Sequence, residues 1–489
     1  MSYVRFYSTA SFSLNVLDNG GNWDGTMEYS TNANSWASWN GNSITAVATS
    51  GTYNLYLRGT GNHYITTGDF VEDIIREFEF TGTQPIDCEG NIESLLDYQT
   101  VDNGQHPQMY EYAFYMLFSN CTLLRTAPTL PATTLTNSCY TYMFDGCTSL
   151  TTPPSILPAT TLTNSCYYGM FYGCTSLITA PELPATTLKY SCYAHMFQDC
   201  TALTTAPELP ATILADNCYY AMFYGCTSLI TAPELPATTL ATYCYYGMFQ
   251  GCTSLTTAPE LPATTLNSSC YSIMFDGCTS LTTPPSILPA TTLANSCYDS
   301  MFYGCTSLTT SPKLPAIKLA TNCYQYMFYG CTGLISVSAL PAIILANTCY
   351  ARIFNGSNIT LTTTPDSTHT TEFRIPMVGT ISTTATNWNT NMFPTSSAVR
   401  APDINTTYYI NVTLIDPSID YMVTKSELSS IATAIREKTG NNIPLTYPDD
   451  FISELNNIQP GEMTTFLSGS SLPASSLGVD GDFYTYTGS

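Results

Sequence analysis

Basic side chains are scarce: 13 lysines and arginines stand against 36 acidic residues, a formal net charge of −23 over 489 residues. Neutralising phosphates takes clustered cations, so a nucleic-acid partner is not expected. Long apolar runs are missing too, and no stretch reaches the length of a membrane span, so membrane insertion is not expected either. The opening MSYVRFYSTASFSLN has no basic end leading into an apolar stretch and a small-residue cleavage site, so no secretory leader is expected. Histidines number four (His63, His106, His195, His369) and are dispersed. With no Gly-rich phosphate loop, nucleophile elbow or metal-ligand pair, neither an enzyme nor a cofactor is expected. Hydrophobic residues still reach 44% of the chain, enough for a sizeable core.

What is abundant is repetition. The stretch CYYGMFQGCTSLTTAPELPATTL, Cys244 to Leu266, recurs with small changes. Aligned on its second cysteine, it gives Cys121, Cys147, Cys174, Cys200, Cys226, Cys252, Cys278, Cys305 and Cys331, with Ser357 in that place in the last copy. The steps are 26 or 27 residues. A fixed period of this size marks a solenoid, whose units bury their apolar faces only by stacking. Within one unit Cys244, Met248, Phe249 and Cys252 fall at i, i+4, i+5 and i+8, which predicts a short helix. Pro259 and Leu261 alternate with Ala258 and Glu260, which predicts a short strand with the second pair outward. Proline inside that strand (Pro181, Pro207, Pro233, Pro259) removes ladder donors and predicts a thin, irregular sheet. Ten units at about 4.8 Å each make a rod on the order of 45 Å long. Its cohesion is expected from ladders of leucine (Leu150 through Leu334) and phenylalanine (Phe118 through Phe354), each large side chain contributing roughly 1.5–3 kcal/mol.

Nineteen cysteines raise the question of bonding. A helix would hold Cys244 and Cys252 about 12 Å apart in rise, beyond the roughly 7 Å a disulfide tolerates. Equivalent thiols in neighbouring units would lie about 5 Å apart, so bonds between units stay open beside reduced, buried thiols acting as small apolar fillers. Zinc fits poorly, since seven residues separate the two cysteines where two to four are usual. Glu182, Glu208, Glu234 and Glu260 form one outward column, either a solvated acidic stripe or a ladder bridged by calcium. Tyr142, Tyr168, Tyr220, Tyr246 and Tyr326 occur at variable positions and are candidate exposed rings for holding a sugar or protein partner.

The motif MFYGCTSL followed by a Leu- and Pro-containing strand resembles the BspA-like (Treponema-type) leucine-rich repeats, over about Ala113 to Leu361. The resemblance implies a mixed α/β leucine-rich-repeat solenoid. Around the array, residues 1–84 read as a β-sandwich-like domain, 85–112 as a junction, 113–361 as the solenoid and 362–423 as a second β-rich domain. Residues 424–459 read as a helical hairpin: Thr424 and Glu427 have capping-box spacing, and Leu428, Ile431, Ala432 and Ile435 form an apolar stripe. This hairpin, and the tail segment 460–489 with its LPASSLGVDGDFYTYTG, are similar to pieces of phage tail and fibre proteins. Those resemblances imply a virion structural protein on a tail fibre, head fibre or other appendage, a homo-oligomer contacting other virion proteins and a glycan or protein receptor on the host surface. The rival expectation is a BspA-like bacterial cell-surface adhesin, which would carry an export signal and an anchor.

Overall fold

A computed structural model describes residues 3–17, 23–66 and 76–417. The chain divides into two units, Met1–Pro417 and Ser418–Ser489. The expected helical hairpin and tail segment lie in the second unit, outside the described residues.

The first unit opens with two antiparallel sheets. One runs β4(Ala37–Trp39), β3(Thr26–Ser30), β7(Thr52–Thr60), β1(Val4–Ser8), β9(Asp87–Gly90), with β6(Val47–Thr49) also on β7. The other runs β5(Ile44–Thr45), β2(Phe12–Leu17), β8(Glu77–Gly82). Alternation puts Val4, Phe6, Leu55 and Leu57 inside from the first sheet and Phe12, Leu14, Phe78 and Phe80 from the second. Phe6 meets Phe80 at 5.0 Å across the gap.

These sheets also supply the first coil of the array. The Ile65 amide donates to Ala113 and the Phe78 amide to Leu117, the same bonds that Tyr245 and Phe249 make to Cys270 and Met274 deeper in the array. Phe78 lies 5.6 Å from Phe118, edge to face. Cys121 donates its thiol hydrogen to the Phe78 carbonyl at 2.8 Å. Between them and the array runs α1(Ser94–Asp102), kinked at Asp97.

The predicted helix in each unit is not there. Among the described residues α1 is the α-helix, and the segment between the two cysteines is a run of turns. Its cause is a left-handed residue at every fourth position, as at Tyr243 (φ 53°), Gly247 (58°) and Gly251 (74°). A right-handed helix cannot continue through such residues. Backbone donors then alternate. Tyr246, Met248, Gln250 and Cys252 bond three residues back within their own coil, while Tyr243, Tyr245, Gly247, Phe249 and Gly251 donate to the next coil. The third left-handed column is glycine except at Asn120 and Asp199, residue types that tolerate the conformation.

The predicted strand shrinks to single-residue parallel bridges, Thr231 to Thr257 to Thr283 on one side of the proline pair and Thr239 to Thr265 on the other. Pro259 and Pro262 have no N–H to donate. In one coil Ser338 stands where the others carry the first proline, and a strand forms there, β10(Ser336–Ser338), parallel to β14(Thr413–Ile415); the Ser338 amide itself donates to the Ser311 hydroxyl at 2.8 Å, and the pairing with β14 runs through its neighbours, as from Ala339 to Ile415. Ala258 is 6% exposed, so it faces inward with Leu261 rather than outward with Glu260.

The expected ladders line the interior. Neighbouring rings of the phenylalanine column are 5.4–5.9 Å apart and within 9° of parallel from Phe118 to Phe354. A second stack runs from Tyr140 to Tyr350 at 5.6–5.9 Å, fully buried.

Beyond Leu361 come β11(Leu361–Thr362), β12(Thr371–Phe373) and β13(Tyr408–Ile410), an antiparallel sheet in the order β11-β13-β12. The coil pattern returns inside this stretch. Asn387 and Asn391 are left-handed, Tyr350 donates to Trp388 and Phe354 to Met392, and Phe393 lies 5.5 Å from Phe354. An eleventh turn, entered after an insertion that breaks the period, thus closes the far end.

Candidate functional site

All nineteen cysteines are free and buried. With no helix between them, the rise that separated the two thiols of a unit no longer applies; their side chains simply occupy different columns of the interior. In the second column each thiol donates to the phenylalanine carbonyl of the preceding coil, as Cys252 does to Phe223 at 3.1 Å and Cys226 to Phe197 at 3.0 Å. That carbonyl already accepts an amide of its own coil, so the thiol uses its second lone pair. These cysteines are therefore donors as well as fillers. The first column has nothing comparable: Cys139 and Cys323 reach a carbonyl only at 4.0 Å. Burial pushes the thiols up, Cys349 to about 11 and Cys270 to about 12.

The four glutamates of the proposed ladder sit outward and exposed. Glu260 accepts from the Ser286 amide and hydroxyl. Among the described residues no group of three or more His, Cys, Asp or Glu side chains is arranged to hold a metal ion, and no helix is long and apolar enough to cross a membrane.

The candidate tyrosines fall on the turn segments, and four of the five join one continuous ribbon. Tyr142 meets Tyr168 edge-on at 5.3 Å, Tyr168 meets His195 at 5.2 Å, His195 meets Tyr220 at 5.1 Å, and Tyr220 stacks on Tyr246 at 4.8 Å and 8°. His195 was not among the expected residues. Desolvation holds its imidazole below the usual range, against the hydrogen bond that its Nδ1–H donates to the Gln198 amide oxygen. Tyr326 lies apart, with Tyr303 at 6.4 Å and Tyr329 at 5.7 Å. Arg352 of the following coil places its guanidinium 5.2 Å from the Tyr326 ring centre and donates to its hydroxyl.

Two adjacent positions, two and three residues after the first cysteine, build the ribbon by complementarity. The coils read Thr141–Tyr142, Tyr168–Gly169, Ala194–His195, Tyr220–Ala221, Tyr246–Gly247 and Ser272–Ile273. Each supplies one large side chain beside one small one. The reason is steric: a Cβ on Gly169 would come within 2.4 Å of the Tyr142 ring. That pairing was readable in the sequence as an alternation between columns, but only once the columns were known to be neighbours. A polar row flanks the ribbon, with Gln198 donating to the Tyr172 hydroxyl at 3.2 Å and Gln250 to Asp276 at 2.7 Å. All five expected tyrosines are half-buried. Burial, followed by Tyr168, pushes the Tyr142 phenol well up.

Parallel coils of one period, knit by bridges and an internal leucine column, define a leucine-rich-repeat solenoid. The BspA type leucine rich repeat region (6 copies) matches at residues 106–256, 164–284 and 248–374, together more than half of the chain, and the chain belongs to that family. No curated protein matches it. Among solved structures, the crystal structure of a T. pallidum leucine-rich-repeat protein is similar over 50% of this chain and 88% of its own, at 16% identity and a TM-score of 0.23.

Proposed function

We propose that the array is a recognition platform displayed on a surface, and that its half-buried ring ribbon contacts a glycan or protein receptor on a bacterial host. One observation carries this reading: five successive coils, from Tyr142 to Tyr246, keep a large ring on the same outer face although the position that supplies it changes. The interior does not need this, since the buried tyrosine and phenylalanine stacks already fill it. Partly exposed aromatic side chains beside amides and hydroxyls are the usual composition of protein contact surfaces.

The setting we favour is a virion appendage, a homo-oligomeric tail fibre, head fibre or similar part, because the two segments after residue 423 resemble phage tail and fibre proteins. A bacterial cell-surface adhesin is the second reading, favoured by membership of the BspA-type family. Mass spectrometry of purified virions and of host envelope fractions separates them. Presence in particles supports the appendage; presence in envelopes alone reverses the order. For the platform itself, Tyr220→Ala with Tyr246→Ala is expected to lower attachment of the folded chain to host cells at least severalfold, and unchanged attachment overturns it.

A further inference from the structure

Past the last period of the array, three side chains meet in a hydrogen-bonded line. Thr360 immediately precedes β11 and His369 stands two residues before β12. Those strands flank β13, where Leu361 and Thr371 both lie opposite Ile410, so Thr360 and His369 come together across one end of the middle strand. His369 Nε2 is 2.9 Å from the Thr360 hydroxyl, and its Nδ1 is 2.9 Å and 3.0 Å from the two oxygens of Asp366. Asp366 is itself fixed, taking the Thr368 and His369 amides at 2.7 and 2.8 Å and the Thr368 hydroxyl at 2.9 Å. These partners set the tautomer. A carboxylate can only accept, and the Thr368 hydroxyl, 2.9 Å from Nδ1, has its one hydrogen on Asp366. In the neutral imidazole Nδ1 therefore carries the proton, and Nε2 is left to accept from the Thr360 hydroxyl. In the sequence His369 is one of four dispersed histidines; the topology supplies its hydroxyl.

We propose that Thr360, His369 and Asp366 act as nucleophile, general base and orienting carboxylate in acyl transfer from a small carboxylic ester. A hydroxyl within reach of a base that a third group holds in place is the arrangement that activates a weak nucleophile. The Thr360 oxygen attacks the ester carbonyl while its proton passes to His369 Nε2; the C–O bond to the alcohol then breaks and the alcohol leaves with that proton. Water attacks the acyl-threonine with the same base, releasing the carboxylic acid and restoring the hydroxyl. The surroundings select the substrate class. Ile359 and Leu361 are fully buried, Thr360 between them is half-buried, and residues 363–368 are all exposed, so the hydroxyl stands at a rim. A rim admits a small acyl group on a larger carrier and leaves water free for the second step. An ester suits it better than an amide, whose cleavage leans harder on a closed, preorganised oxyanion site.

The test assays the full chain with p-nitrophenyl acetate near neutral pH. Hydrolysis is expected to saturate, to fall at least about tenfold in kcat/KM with Thr360→Ala and with His369→Gln, and to return to within about threefold of the parent with Thr360→Ser. Peptide mass spectrometry after an acid quench is expected to place an acetyl group on Thr360. His63→Gln is the control, since His63 also pairs with a carboxylate, Asp24 at 2.8 Å, but has Tyr110 stacked on its ring at 4.4 Å; it is expected to change nothing. Thermal melts confirm folding, and His369→Gln with Thr360→Ser decides the matter where Thr360→Ala fails to fold. Absent hydrolysis, hydrolysis that ignores Thr360→Ala, equal loss with His63→Gln, or acetyl found only on other residues overturns the proposal. Scission of the parent chain between Ile359 and Thr360 would mean that the hydroxyl attacks its own backbone, and overturns the ester assignment.

Discussion

Each coil has two walls of similar length and opposite character. The turn wall, from first to second cysteine, spends alternate amides on its own coil and on the next, and points Cys244, Tyr245, Met248, Phe249 and Cys252 inward. The proline wall, from Leu255 to Leu266, has lost two donors, touches its neighbours through bridges at Thr257 and Thr265, and buries Leu255, Ala258, Leu261 and Ala263. The difference separates cohesion from display. Where backbone bonds and stacked rings between coils are dense, the inward side chains hardly vary. Where they are sparse, the outward positions drift among Thr, Ile, Glu and Lys, as in Ile178, Ile213, Ile230 and Lys318. On the turn wall variation falls on outward positions, compensated in the ribbon and free in the flanking row that reads Asp145, Tyr172, Gln198, Tyr224, Gln250 and Asp276.

The largest expected effect contrasts the walls directly. Phe249→Ala removes one ring from a stack that touches a ring on both sides and is expected to cost about 3–5 kcal/mol. Pro259→Ala on the opposite wall restores a donor and is expected to stay within about 1 kcal/mol of the parent. Denaturant melts of both variants measure it, and equal losses would erase the division between walls.

Much of this was legible in the sequence, and the reasons for success and failure are physical. Period, inward leucines and stacked phenylalanines followed from identity at fixed spacing, which survives any local conformation. The helix did not, because i, i+4, i+8 spacing is also the spacing of a turn series with a left-handed residue every fourth position. The signal was present as the glycine, asparagine or aspartate before each second cysteine, as in Gly251, Asn120 and Asp199. The proline-induced thinning of the sheet was legible, since a missing N–H is a property of the residue itself. The ribbon was half legible: tyrosines at variable positions were read as exposed rings, but His195 needed the knowledge that two columns share one space. The eleventh coil at Asn387–Phe393 was hidden by the insertion before it, which broke the period.

The two thiol columns sharpen the comparison inside the turn wall. Cys252→Ser keeps a donor for a phenylalanine carbonyl, since Ser357 in the last copy donates to Phe354 of its own coil where Cys252 reaches Phe223 of the preceding one, and is expected to cost under about 1 kcal/mol. Cys244→Ser buries a hydroxyl in a column whose thiols find no carbonyl nearer than about 4 Å, and is expected to cost about 1–3 kcal/mol. Urea titrations resolve the order. The reverse order would mean that the second-column thiols are fillers alone.

The smallest effect concerns the outward face. The folded-state pKa of Asp299, raised by desolvation to about 6 from an ordinary value of 3.8, means that the folded chain holds its proton at a pH where the unfolded chain has released it. Stability from this group is therefore lowest above about pH 6 and is regained as pH falls from about 6 towards 4. His195 works the other way, since its depressed imidazole makes protonation favour the unfolded chain below about pH 6.5. The informative quantity is accordingly the difference between parent and Asp299→Asn, which cancels His195. That difference is expected to shift towards the parent by about 1 kcal/mol between pH 7 and pH 4.5, reduced from the full linkage value because the group is partly solvated. Melts at several pH values measure it. A flat difference would mean that the Asp299 carboxylate is already compensated in the folded chain.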